Sequence, residues 1–115
     1  MNNIVAVRTC EEYDFEKVYS SVSEIYDICG GPDVRNKKVL VKPNVLSDDL
    51  PEKCIGTHPV VFEAMIRLLQ EKGAIVVAGD SPAVHLRGFR PVKSGLAEVC
   101  TKTGTEWIDF TSKPR

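Results

Sequence analysis

Apolar residues along the chain follow two alternating rhythms. Ile4-Val5-Ala6-Val7-Arg8 is a short β-branched run and predicts a strand. From there the apolar positions recur as Phe15, Val18, Tyr19, Val22, Ile25, Tyr26 and Cys29, the spacing of one helical stripe. Asp14 suits the cap of that helix. Gly30-Gly31-Pro32 suits its end, because glycine accepts left-handed backbone and proline cannot continue. Val39-Leu40-Val41 predicts a second strand, and its unbroken apolar run fits a sheet covered on both faces. Thr57 or His58 caps a second helix, with Pro59 in its first turn and Phe62, Met65, Ile66 and Leu69 as its buried stripe. Glu63 and Arg67 stand one turn apart on its exposed side. Ala74–Ala78 predicts a third strand, closed by the turn residues Gly79-Asp80-Ser81-Pro82. Pro91 opens a third helix with Val92, Leu96, Val99 and Cys100 on one face, and Gly104 stops it. Thr105–Phe110 predicts a fourth strand, with Trp107 and Asp109 facing one way and Ile108 and Phe110 the other.

The order βαβαβαβ implies an α/β fold of three layers. A mostly parallel four-stranded sheet would have right-handed crossovers and helices on both faces. Two strand orders fit, counted over the four predicted strands. A flavodoxin-like order, 2-1-3-4, puts the ligand crevice between the first and third strands. A Rossmann-like order, 3-2-1-4, sets the second and third side by side. Polar motifs follow both the second and the third strand, which favours the latter. The chain ends on a fresh strand with nothing after it to cover a face. The expectation is one α/β domain over residues 1–115, the N-terminal portion of a longer protein.

Composition narrows the class. The 115 residues are 43% hydrophobic and 27% charged, an ordinary globular balance. The formal net charge of −1 argues against a general nucleic-acid binder. No apolar run approaches the roughly 18 residues of a membrane span, so no membrane partner is expected. Met1-Asn2-Asn3-Ile4 lacks the basic start and apolar core of a signal peptide. A cytoplasmic location is the default. Cys10, Cys29, Cys54 and Cys100 are spaced by 19, 25 and 46 residues, so no pair has the spacing of a zinc or redox motif. Cys29 and Cys100 fall on apolar helical faces and read as core residues. Cys10 and Cys54 fall in loops.

The chemistry gathers behind Val39-Leu40-Val41. Lys42 follows the strand, Pro43 stops it, and Asn44 begins a polar loop reaching to Gly56. That is long for a strand-to-helix connection, where about 2–6 residues is usual. Long loops in compact domains are commonly binding segments or lids. In a parallel sheet, Lys42 and Asn44, Thr57 and His58, and Asp80 and Ser81 all lie at the strand C-terminal edge, where open α/β sheets take ligands. The helix start after Thr57 offers N–H groups and the positive end of a dipole. Arg87, Arg90 and Lys93 add positive charge to a stretch, Ser81 to Ala97, that has no acidic residue. A small anionic ligand is the natural occupant. Lys42, His58 and Asp80 are the catalytic candidates: lysine as base or nucleophile, histidine in proton transfer, aspartate orienting either. Asn44, Thr57, Ser81, Arg87 and Arg90 are the ligand-binding candidates. Each motif also has a plain structural use, as strand exit, helix cap or turn. No GxGxxG or GxxxxGK[ST] nucleotide fingerprint is present.

Three segments together carry a family resemblance: Val39-Leu40-Val41-Lys42-Pro43-Asn44, then Thr57-His58-Pro59-Val60-Val61, then Gly73-Ala74 leading into Gly79-Asp80-Ser81-Pro82. Their order and spacing resemble the front of domain-of-unknown-function family 362. Members of that family are often described as iron–sulfur or ferredoxin-like proteins, because many also carry a cluster-binding module. The resemblance implies Lys42, Asn44, Thr57, His58, Asp80 and Ser81 as motif positions, and a domain larger than this chain. It brings no established reaction. The cysteine spacings exclude the CxxCxxCxxxCP run of bacterial ferredoxins. A four-iron four-sulfur cluster would therefore belong to a part of the longer protein outside this chain. Three readings follow: an enzyme domain for a small anionic metabolite working with an iron–sulfur module in cis or trans, a docking domain for a ferredoxin-like module, or a scaffold whose strand-end motifs only shape turns.

Overall fold

A computed structural model describes residues 3–81 and 89–110. The element order is α1 (Phe15–Ile28), β1 (Lys38–Val41), a 3-10 turn (Pro51–Lys53), α2 (Pro59–Glu71), β2 (Ile75–Asp80), α3 (Leu96–Thr103) and β3 (Glu106–Asp109). The three strands form one parallel sheet in the order β1-β2-β3. Val41 is level with Ala78, and Asp80 with Asp109. All three strands therefore finish along one edge.

With right-handed crossovers, a sheet built in sequential order receives every connecting helix on the same face. The packing agrees. Val39, Val41, Val76, Ala78 and Trp107 share one face by register, and they pack with Phe62, Ile66 and Leu69 of α2 and Leu96, Val99 and Cys100 of α3. Ala78 and Ile66 are fully buried at this junction. The opposite face carries Leu40, Ile75, Val77, Gly79 and Ile108. Phe110 lies over Gly79 there, so a Cβ on Gly79 would come within 2.7 Å of the ring. Leu40 and Ile75 on that face remain exposed.

α1 joins through α2. Asp14 caps it by accepting the Lys17 N–H at 3.1 Å. Tyr19 hydrogen-bonds Glu71, and the Lys72 ammonium lies 4.9 Å from the Tyr26 ring centre. The Glu71 contact pushes the Tyr19 hydroxyl pKa up to about 12. Because α1 packs on a helix and not on the sheet, only Val18 of its stripe is buried.

Several sequence expectations are corrected. Ile4–Arg8 forms no strand; a five-residue run with no ladder partner gains too little to be fixed as one. The sheet thus has three strands among the described residues, not four. Its order matches neither of the two anticipated, although the 38–41 and 75–80 strands do lie side by side. The helices α2 and α3 share one face, so the described residues show no third layer. Cys29 is exposed at the end of α1, whereas Cys100 is buried as expected. The third helix begins at Leu96 and not at Pro91. Gly95 adopts a left-handed φ of +85° that ends the preceding turn, and Val92 stands exposed.

Candidate functional site

Pro43 has no N–H to extend the ladder, so β1 stops and Lys42 is left at the sheet edge. β2 beside it runs on to Asp80. The Lys42 Nζ donates to Asp80 Oδ1 at 2.8 Å, and the Val45 N–H donates to Asp80 Oδ2 at 2.7 Å. The carboxylate is 6% exposed and the lysine side chain 54%. Burial alone would raise the Asp80 pKa. Hydrogen bonds from Lys42 and from the Val45 and Ser81 N–H groups, with the lysine charge, outweigh it and hold the carboxyl below its ordinary range. Lys42 also reaches Asn44 Oδ1 at 3.5 Å. One buried anion therefore fixes a half-exposed cation at the edge.

The loop behind this pair is closed at its neck. The Asn44 N–H donates to Thr57 Oγ1 at 2.9 Å, and the Thr57 N–H donates back to the Asn44 carbonyl at 2.9 Å. Gly56 fits against the same carbonyl, where a Cβ would stand 2.9 Å away. The result is an Ω-loop with adjoining ends. Its middle is pegged by Asp48, whose carboxylate accepts the N–H groups of Val92 (3.1 Å), Lys93 (2.9 Å) and Ser94 (2.9 Å) ahead of α3. Asp49 accepts from Ser47 and pairs with Lys53 at 3.4 Å. A cavity of only about 10 Å³ remains beneath the loop. A ligand at this edge would sit on the loop and the Lys42–Asp80 pair, not under them.

His58 caps α2: its Nδ1 accepts the Val60 N–H at 3.1 Å. Its ring stacks on Tyr13 with centroids 3.6 Å apart and planes within 2°. Burial lowers the His58 pKa, opposed by the charge of Glu52. Since Nδ1 accepts a hydrogen bond, the neutral ring carries its proton on Nε2. The cap leaves the helix start little to offer an anion. Pro59 has no N–H, Val60 gives its own to His58, and Phe62 gives its own to the His58 carbonyl at 3.1 Å.

The predicted residues thus divide. Lys42, Asn44 and Asp80 are in direct contact, Thr57 joins them through Asn44, and the Ser81 backbone hydrogen-bonds Asp80. Among the described residues no hydrogen bond or ion pair links His58 to Lys42 or Asp80. Arg90 turns to α3, where its Nη2 donates to Thr101 Oγ1 at 3.3 Å. Arg87 lies outside the described residues. Sequence reasoning missed Asp48 and Tyr13. Nothing in the Ser47-Asp48-Asp49 stretch announces acceptors for donors more than forty residues away. Among the described residues no group of three or more His, Cys, Asp or Glu side chains comes together to hold a metal, and three of the four cysteines are exposed singly. These residues do not fit an iron–sulfur cluster. No helix described is long and apolar enough to cross a membrane.

The model of a domain of unknown function, DUF362, matches residues 39–115. A thylakoid-associated protein of Synechocystis sp., sll1697, is 32% identical over 82 residues, covering 69% of this chain and 26% of that protein. No solved structure matches the chain.

Proposed function

The chain belongs to the DUF362 family of domains of unknown function, and from that premise we propose that it binds a small anionic metabolite at the C-terminal edge of its sheet, in a protein that works with an iron–sulfur module in cis or in trans. The single observation behind this reading is the Lys42 ammonium. It is anchored at 2.8 Å by a buried carboxylate yet remains 54% exposed. Such a group is positioned in advance and keeps donor capacity for a carboxylate or phosphate oxygen. The Asn44 side chain beside it supplies polar contact. Asp80 already accepts from Lys42, Val45 and Ser81, so its part is to hold the lysine and not to take a proton. His58 Nε2 is the ring nitrogen left for proton exchange. Any cluster would be held by residues other than the described ones.

The filled loop favours a second reading, a docking surface for a ferredoxin-like module, because it leaves the edge shallow. Titration calorimetry with inorganic phosphate and with citrate separates the two. The anion reading expects binding by the chain and roughly tenfold or greater weakening in Lys42→Ala, the loss of one charge-assisted hydrogen bond. Circular dichroism is expected to stay unchanged. Equal affinity in the variant, or no binding of either anion, overturns it.

A further inference from the structure

The segment Ile4–Arg8 is built as a strand and is not used as one. Val5 is 86% exposed, Val7 79% and Ile4 50%. Among the described residues, no backbone-to-backbone hydrogen bond joins this segment to another element. Side chains of α1 hold it instead. The Cys29 thiol lies 3.9 Å from the Ile4 carbonyl oxygen, and Arg8 Nε pairs with Glu24 Oε1 at 2.9 Å. The segment therefore runs antiparallel beside α1, outside any ladder, with Val5 and Val7 facing water.

The same molecule carries a matching vacancy in its sheet. β1 is an edge strand: β2 lies on one side, and among the described residues nothing pairs on the other. It is four residues long and apolar at Val39, Leu40 and Val41, with Leu40 50% exposed. A free edge of this kind is a template for another strand. Donor and acceptor are of similar length and composition. In this structure Ile4–Arg8 is held at Glu24 and Cys29 and is not paired with the chain's own β1, while Val5 and Val7 face outward, open to another molecule.

We propose that Ile4–Arg8 pairs along the free edge of β1 in a second copy of this chain, giving a two-fold dimer closed by two such strand additions. Each copy donates its strand to the same copy that donates to it, so the contact is isologous and stops at two; donation to a third copy would instead build an open head-to-tail chain. Dimerisation removes Val5, Val7 and Leu40 from water and satisfies both edges at once.

Sedimentation equilibrium over a wide concentration range tests this, paired with hydrogen exchange on the 115-residue chain. The expected result is a reversible monomer–dimer equilibrium. Amides of residues 5–7 and 38–41 gain protection together as concentration rises. Val5→Pro removes a ladder N–H from a segment that makes no backbone-to-backbone bond to another element in the monomer. It is expected to weaken dimerisation roughly tenfold or more while the dilute monomer keeps its melting temperature. A monomer at every concentration overturns the proposal. So does a dimer that Val5→Pro leaves unchanged, or protection of residues 5–7 that is independent of concentration, which would mean pairing within one chain.

Discussion

Two segments of this protein invert what their sequences suggest. Ile4–Arg8 has the composition of a strand, yet it lies unpaired against α1 with its valines in water. Asn44–Thr57 is polar and irregular, yet it is fastened at Asp80, at its own neck and at the turn before α3. The difference lies in where the partners are. A strand needs a neighbouring ladder, and propensity does not supply one. A loop needs hydrogen-bond partners elsewhere in the chain: Asp80 accepts the loop's Val45 N–H, and the loop's own Asp48 accepts the N–H groups of Val92, Lys93 and Ser94. Order in this molecule follows long-range hydrogen bonds more closely than local preference.

The sharpest way to break the contrast is to remove the acceptor under the loop. Asp80→Ala leaves the Val45 N–H without a partner and Lys42 without its anchor. The expected loss is about 2–3 kcal/mol in urea unfolding, less than for a fully buried pair because Lys42 is half in water. The folded Asp80 carboxyl titrates below its ordinary range. Its contribution is therefore complete above the unfolded carboxyl's pKa and disappears as pH falls through the folded one. The gap between wild type and variant is expected at neutral pH and to close in acid. Val7→Ser on the unpaired segment, measured in dilute protein, is expected to change stability by less than about 0.5 kcal/mol. Equal effects at the two positions would end the comparison.

The legible parts of the chain were those whose cause is local. Asp14 reads as a cap because its partner, Lys17, is three residues on. Phe62, Met65, Ile66 and Leu69 read as a buried stripe because helical period alone aligns them; Phe62, Ile66 and Leu69 are buried and Met65 is partly buried. Lys42-Pro43-Asn44 reads as a strand exit because proline forbids extension. What stayed hidden depends on distance along the chain. Asp48 meets donors at positions 92–94, just ahead of the left-handed Gly95 from which α3 starts later than Pro91 suggests. The absence of a ladder for Ile4–Arg8 is likewise a property of the whole sheet and not of those five residues. For the same reason, local spacing revealed Lys42 and Asp80 as strand-end groups, but their 2.8 Å contact required the pairing of β1 with β2.

A smaller change tests the peg alone. Asp48→Ala removes the acceptor of three N–H groups; those of Val92 and Lys93 are exposed and can turn to water, whereas Ser94 is buried. The expected cost is about 1–2 kcal/mol. Its signature is local: hydrogen exchange at Val92, Lys93 and Ser94 quickens, along with residues 45–56, while the amides of β2 stay protected. Asp48→Asn keeps one side-chain oxygen as acceptor and is expected to fall between wild type and alanine. Unchanged exchange across 45–56 in Asp48→Ala would show that the neck at Asn44 and Thr57 holds the loop without it.

A smaller effect than that of Asp48 belongs to His58, at the join between the loop and α2. Its Nδ1 can accept the Val60 N–H only while unprotonated, and burial lowers its pKa. A base whose folded pKa is depressed contributes stability above its unfolded pKa and loses it as pH falls through the folded value. His58→Ala is therefore expected to cost about 1 kcal/mol at mildly alkaline pH, the usual worth of a cap, with the difference shrinking in mild acid. Arg8→Ala, which removes the ion pair holding the unpaired segment to Glu24, is the matched control. Both partners there are substantially exposed, at 36% and 53%, so the expected change is under about 0.5 kcal/mol at either pH. Chemical denaturation of both variants at the two pH values checks the pair. If the His58→Ala deficit persists undiminished in acid, the ring contributes through its stacking on Tyr13 and not through the cap, and the loop's hold on α2 is aromatic rather than hydrogen-bonded.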